Sequence, residues 1–228
     1  MNSRITGSNA QRGAFISLEG IEGAGKSTCV PSIEQWVATQ AAEVVKTREP
    51  GGTPLAEVIR NIVLGIGVDA SVEAPTSDTE TLLMFASRAQ HLDEVVRPAL
   101  ARGAWVICDR FTDATLAYQG AARELGMERI YALAEWVHGS LWPDLTLLFD
   151  VSVETGLARA SQRGAKDRIE QERQEFFRRA RDGYLELAQR FPDRVRVIDA
   201  EQSMEDVAAQ VMDELNAFAG RRESICQK

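Results

Sequence analysis

Short apolar runs alternate with longer stretches of helical periodicity along this chain. The runs at 15–19, 43–47, 104–109, 145–151 and 195–199 are strand-sized. Their near-continuous apolar character is that of strands covered on both faces rather than half-exposed ones. Helical patterns occupy 27–40, 79–101 and 204–219. In the last, Val207, Val211 and Leu215 recur every four residues and Phe218 follows, with Ser203 placed to cap its start and Gly220 to stop it. Ser77-x-x-Glu80 reads as a capping box for the helix over 79–101, and Pro98 should kink or end that helix. Pro31 sits inside the 27–40 pattern, where its missing N–H has no evident compensation. Strand–helix alternation predicts an α/β fold of three layers, a five-stranded parallel sheet flanked by helices. Ligands of such sheets lie beyond the carboxyl ends of the strands. Glu19, Asp109 and Asp199 end three of the runs and Asp150 lies near the end of a fourth, so four carboxylates are expected at that mouth.

Composition narrows the class. With 228 residues, 44% hydrophobic and 26% charged, the chain is an ordinary globular one, too rich in core residues for disorder. It is long enough to bury a core without a disulfide or metal staple. Lys+Arg 26 against Asp+Glu 34 leaves a net charge of −8, which argues against a nucleic-acid binder. Its three cysteines, Cys29, Cys108 and Cys226, form no C-x-x-C pair and suit a reducing compartment. No apolar run reaches the ~18–20 residues of a membrane span. Residues 1–13 lack the apolar core of a signal peptide and are set aside as a disordered extension. The expected organisation is a single domain over 14–220, with a lid at about 160–172 and a tail over 221–228.

The chemistry-bearing motif is Gly20-Ile21-Glu22-Gly23-Ala24-Gly25-Lys26-Ser27, which fits G-x-x-x-x-G-K-[ST] between a strand and a helix. Glycines let successive N–H groups turn toward a phosphate, and the helix start adds its positive dipole end. Lys26 is placed to reach the β- and γ-phosphates and the Ser27 hydroxyl to ligate Mg²⁺. The motif implies a nucleoside triphosphate and does not name the acceptor.

The variable positions of this loop carry no cation, so charge neutralisation must come from elsewhere. Residues 159–181 hold eight positive side chains against four negative. Within them Arg163-Gly164-Ala165-Lys166-Asp167-Arg168 reads as a basic lid loop, the alternative being a solvated helix. Arg48, in a Pro/Gly-rich stretch after the second strand, suits an anionic acceptor or merely a surface turn. At the end of the third strand, Asp109 is a candidate Mg²⁺ ligand and Arg110 a phosphate fork, or the two form a structural ion pair.

The phosphate loop, REPGGTPLAE (48–57), MFASRAQH (84–91), DRFTDATLAYQG (109–120) and RGAKDRIEQE (163–172) together resemble the bacterial thymidylate kinase family over roughly 15–215. The resemblance implies a P-loop nucleoside monophosphate kinase that moves the γ-phosphate of ATP to dTMP in a Mg²⁺-dependent cytoplasmic homodimer. It implies that Gly20 through Thr28 hold the nucleotide, that Arg48 and Arg110 bind the dTMP phosphate, and that Glu22 lies near sugar and metal. Lys26, Arg110, Glu22, Arg163 and Arg168 would be the catalytic set. Phe85 and Arg88, at i,i+3, would stack on and donate to the thymine, although Phe85 also reads as core. Thr115, Tyr118 and Gln119 would share the next helix face, with Tyr118 crowding the sugar 2′ position or else simply buried. Two positions depart from the pattern: Thr115 stands where many relatives have Asn or Ser, and Ala165-Lys166 replaces the usual lid pair. The 79–101 helix would carry the dimer contact.

His91 and His138 belong to no hydrolase motif, but a phosphomonoester acceptor needs no base, because its second pKa is ~6 and it is already ionised at pH 7. A regulatory GTPase would need an N-K-x-D-like motif, which the chain lacks. A bare ATPase would leave the acceptor-side arginines without a use. Another monophosphate kinase on the same scaffold is the nearest alternative.

Overall fold

The computed structural model describes residues 12–69, 71–163 and 167–226, and of Arg163, Ile225 and Cys226 only the backbone. Most of the N-terminal extension, Lys166 of the lid and the end of the tail therefore lie outside the described residues. Five strands, β1 (Phe15–Glu19), β2 (Val44–Arg48), β3 (Trp105–Asp109), β4 (Leu145–Asp150) and β5 (Val195–Asp199), form one sheet in the order β2-β3-β1-β4-β5. Every pairing is parallel, with Leu18 opposite Asp109, Glu19 opposite Leu148 and Arg48 opposite Asp109. β1 is central and all five of its residues are buried, which is why its sequence runs apolar rather than alternating. Its side chains alternate all the same. Ile16 and Leu18 join the larger core with Ile33, Val37 and Phe177, whereas Phe15 packs with Leu92, Val96, Val106 and Phe111.

The helices are α1 (Lys26–Gln40), α2 (Pro54–Leu64), α3 (Ser77–His91), α4 (Arg97–Ala101), α5 (Thr112–Thr115), α6 (Met127–Val137), α7 (Val153–Ala160), α8 (Gln174–Arg190) and α9 (Met204–Cys226). The long helix expected over 79–101 begins at Ser77 and is interrupted by a π-helical turn, Leu92–Val96, before α4. Pro98 lies in the first turn of α4, where its missing N–H is harmless. A second π-helical turn, Leu116–Ala122, continues α5. Pro31 stays within α1; the carbonyl it leaves unbonded is that of Ser27, an exposed residue.

Two expected caps are corrected. The N-cap of α3 is Thr76, whose hydroxyl accepts from the Thr79 N–H at 3.3 Å; Glu80, read as the far end of a capping box, is wholly buried in a tertiary ion cluster. Gly220 does not stop α9. Arg222 stacks on Trp105 and Phe218 at 5.3 and 5.9 Å and donates to the Arg12 carbonyl, contacts that outweigh the ~1 kcal/mol preference against helical glycine. Ser203 does cap its start, accepting from the Asp206 N–H at 3.2 Å. Among the described residues no helix is long and apolar enough to cross a membrane.

Candidate functional site

At the carboxyl edge of β1, β2 and β3, one cleft is lined by Glu22 to Ser27 of the loop, Arg48 at the end of β2 with Pro50 beyond it, and Asp109 at the end of β3 with Arg110 beyond it. Arg60, Met84, Tyr118, Gln119, Asp167 and Ile169 complete its walls. It measures about 220 Å³, and the ion pair of Arg110 with Glu22 forms part of its wall.

The phosphate loop has the shape its sequence requires. Gly23, at φ +74°, packs so closely on α7 that a Cβ would lie 1.8 Å from the Gly156 carbonyl oxygen. Gly25 starts α1 with φ +88°. Ile21 and Ala24 point into the core, while Ser27 and Thr28 are exposed at the helix start. Lys26 Nζ donates to the carbonyls of Gly20 at 2.8 Å and Ile21 at 3.3 Å. Burial, aided by the Arg110 charge, lowers its pKa to about 8.

Arg110 follows β3 at φ +70°, a conformation costly for a residue with a Cβ and retained where surroundings over-determine it. Its backbone N–H donates to Leu18 O at 3.0 Å. Its guanidinium donates to Glu22 Oε1 at 2.5 Å, Gly20 O at 3.0 Å and the Tyr184 hydroxyl at 3.2 Å, and lies 5.0 Å from the Tyr118 ring. Burial works against the charge, but Tyr118, Glu22 and Tyr184 outweigh it and hold the group well above its ordinary range.

Of the four carboxylates expected at the mouth, only Asp109 lines the cleft. Its Oδ1 is buried without a partner. Glu19 is wholly buried, its side chain on the opposite face of the sheet from those of Leu18 and Asp109. It accepts from the Phe111 N–H at 2.7 Å and the Tyr184 hydroxyl at 2.8 Å. Burial, with the Asp113 charge adding to it, raises its pKa to about 8. Asp150 pairs with Arg181 at 2.6 Å, and Asp199 holds the turn after β5.

On the acceptor side, Arg48 pairs with Glu57 at 2.9 Å. Phe85, Arg88 and Thr115 meet as expected but are buried, and none of the three lines the cleft. The Arg88 guanidinium lies 4.7 Å from the Phe85 ring centre, donates from Nε to Glu49 at 2.7 Å and from Nη2 to Thr115 at 2.9 Å, and leaves Nη1 without a partner. Tyr118 and Gln119 do line the cleft. Arg168 reaches the Val63 carbonyl at 2.8 Å and pairs with Glu80 instead of lying free over the phosphate loop. Arg163 ends the short 3₁₀ turn Ser161–Arg163 after α7.

Three contributors escaped the sequence reading. Glu49 anchors Arg88 and His91, with bonds of 2.7 and 2.8 Å; burial pushes its pKa up, but those two partners carry it below the ordinary value. Arg60 lines the cleft and donates to Pro50 O at 3.0 Å. Its spacing from the buried Ala56 and Val63, at i+4 and i−3, was the available signal. Glu80 had none beyond its capping pattern.

Comparison with known proteins decides the family. A family model described as Thymidylate kinase matches residues 18–211. The chain belongs to the thymidylate kinase family. The thymidylate kinase of Alkalilimnicola ehrlichii is 57% identical over 197 residues, covering 86% of this chain and 89% of that one. That of Pseudomonas putida strain GB-1 is 57% identical over 195 residues, covering 86% and 91%. Among solved structures, thymidylate kinase from Ehrlichia chaffeensis superposes with a TM-score of 0.71 at 31% identity, covering 90% of this chain and 99% of that one. A thymidylate kinase scaffold thus places Lys26, Asp109 and Arg110 at one sheet edge.

Proposed function

We infer that this cleft is where the γ-phosphate of ATP passes to dTMP, giving dTDP and ADP, a step of dTTP synthesis. The observation that carries the reading is a single cleft in which the phosphate loop, Asp109 and the acceptor-side cations Arg48, Arg60 and Arg110 face one another. In this reading Gly20 through Thr28 cradle the donor phosphates. Arg48 and Arg110 turn from Glu57 and Glu22 onto the acceptor phosphate, exchanging one anion for another. That acceptor is already ionised, so these residues need only align two anions and offset their repulsion.

The residues present suit Mg²⁺. Asp109 offers a buried, unpartnered carboxylate oxygen and Ser27 an exposed hydroxyl. Mg²⁺ prefers one or two such hard oxygens plus phosphate oxygens and water. When bound, it neutralises charge between the β- and γ-phosphates.

We assign the thymine to Gln119 of the cleft wall and, once the base displaces what covers them, to Phe85, Arg88 and Thr115 behind it; we assign the sugar to Tyr118 and Glu22, and lid neutralisation of the phosphates to Arg163. Arg168 acts at the lid root through its bond to Glu80. A homodimer would form through the outer faces of α2 and α3, where Leu55, Val58, Ile62 and Leu82 are 54%, 55%, 42% and 56% exposed. Light scattering on the purified protein should give twice the 25.1 kDa chain mass.

The test is ADP release with MgATP and each of dTMP, dUMP, dCMP and dGMP. dTMP should be used best, with dUMP poorer by about 10–200-fold for its missing methyl. ATP alone should be spared. Preferential use of another acceptor would overturn the assignment.

A further inference from the structure

Gln119 is 2% exposed. Its Nε2 donates to Glu80 Oε1 at 2.7 Å, and its Oε1, buried, has no partner. Glu80 is itself wholly buried. Arg123 reaches it from the second π-helical turn's end, at 3.2 and 3.3 Å, and Arg168 reaches it from the lid root. Burial pushes the Glu80 carboxyl up, but Arg168, Gln119 and Arg123 outweigh it and keep it below the usual carboxylate range. An ionised carboxylate only accepts hydrogen bonds. The amide of Gln119 therefore cannot reverse without setting two oxygens against each other, and its own oxygen stays buried and unpartnered on a residue that lines the cleft.

The pyrimidines differ at that point. The pairing edge of thymine has one donor, N3–H, between two carbonyl acceptors, whereas N3 of cytosine is an acceptor beside a donating amino group. An oxygen fixed at Gln119 Oε1 pairs with N3–H and repels the cytosine lone pair. Arg88 Nη1 is a buried donor without a partner, on a guanidinium held by Glu49 and by Thr115, one helical turn before Gln119, and it would complement a flanking carbonyl. Donor and acceptor together match an imide edge.

We propose that Glu80 is a positioning residue for base selection: from behind, it fixes the Gln119 amide with its oxygen toward the acceptor base. The choice of a base bearing N3–H then depends on a side chain that never touches it. Because Arg168 neutralises the same carboxylate, the lid root supports the base-reading group. The inference rests on the reading of Gln119 as a base contact.

The experiment compares kcat/KM for dTMP and dCMP at saturating MgATP in one enzyme preparation, so the ratio is independent of the active fraction. Glu80→Gln can donate as well as accept, freeing Gln119 to reverse. The dTMP:dCMP ratio should fall by about tenfold or more, the scale of one mispaired buried group. Should that variant not fold, Glu80→Asp withdraws the anchor by one methylene and should lower the ratio likewise. A ratio unchanged in the folded Glu80 variant but lowered in Gln119→Leu overturns the role of Glu80 and leaves the Gln119 contact standing. A ratio unchanged in both overturns both.

Discussion

Tyr184 and Glu19, 165 residues apart in sequence, share a hydrogen bond of 2.8 Å beneath the cleft. The same hydroxyl accepts from Arg110 Nη1 at 3.2 Å. A group on α8 thus braces Arg110, the arginine proposed to bind the acceptor phosphate, against the last residue of the central strand. Tyr184→Phe leaves a buried carboxylate oxygen and one guanidinium donor unpaired. Stability should fall by about 1–3 kcal/mol, measured by urea unfolding. kcat/KM for dTMP should fall about tenfold with the KM for ATP little changed. Unaltered dTMP kinetics would mean that Tyr184 is only a core side chain.

Glu19 also sets a pH dependence of stability. Its carboxyl titrates at about 8 in the folded chain against an ordinary 4.5. Between those values the native state holds a proton that the unfolded chain has lost, so this group's contribution to stability declines as pH rises and is gone above pH 8. Glu19→Gln stays neutral throughout. Denaturant midpoints compared at pH 5.5 and 8 should show wild type losing ground relative to the variant. A pH-independent difference would show that Glu19 is ionised in the native state.

Lys26 should appear in the pH–rate profile of the free enzyme. With its pKa near 8, the ammonium proposed to meet the phosphates is lost above that value. kcat/KM for MgATP should therefore drop on the alkaline side. Once the polyanion is bound it favours the charged form, so kcat should persist to higher pH. Lys26→Arg, with a side chain that does not deprotonate, should lose activity but show no alkaline limb near 8. Retention of that limb would assign it to another group.

The lid arginines should separate kinetically. Arg163→Ala is expected to lower kcat by about 10²-fold, as removal of other charge-stabilising groups does, with little effect on the KM for dTMP. Arg168→Ala also releases Glu80, so it should raise that KM as well as lower kcat. Unchanged kcat in both single variants and in the double would remove the lid from the mechanism.

The sequence was most informative where function is written locally. The phosphate loop, Arg48 and Arg110 follow directly from strand ends, and both ends of β1 and β5 coincide with their apolar runs. It was least informative where one residue serves a distant partner. Glu80 sits three residues after Ser77 and looks like the end of a capping box, yet it bonds residues 39, 43 and 88 positions away. Glu19 and Asp109 both end strands, and the register decides that one is sealed and the other opens on the cleft: Asp109 is level with Leu18 and shares its face, whereas Glu19, one residue on, takes the opposite face. Arg222 extends α9 past Gly220 through rings on another element, which no helical pattern records.

Gly23 and Gly156 meet backbone to backbone, and a Cβ on either would clash with the other's strand of the chain, at 1.8 Å from Gly156 O or 2.6 Å from Glu22 O. Nothing compressible separates the turn proposed to hold the donor from α7, the helix that runs toward residues 160–172. A close contact of this kind leaves little slack between the two, as in a pinned joint. One added methyl group at either end would wedge that joint apart even though it reaches neither nucleotide.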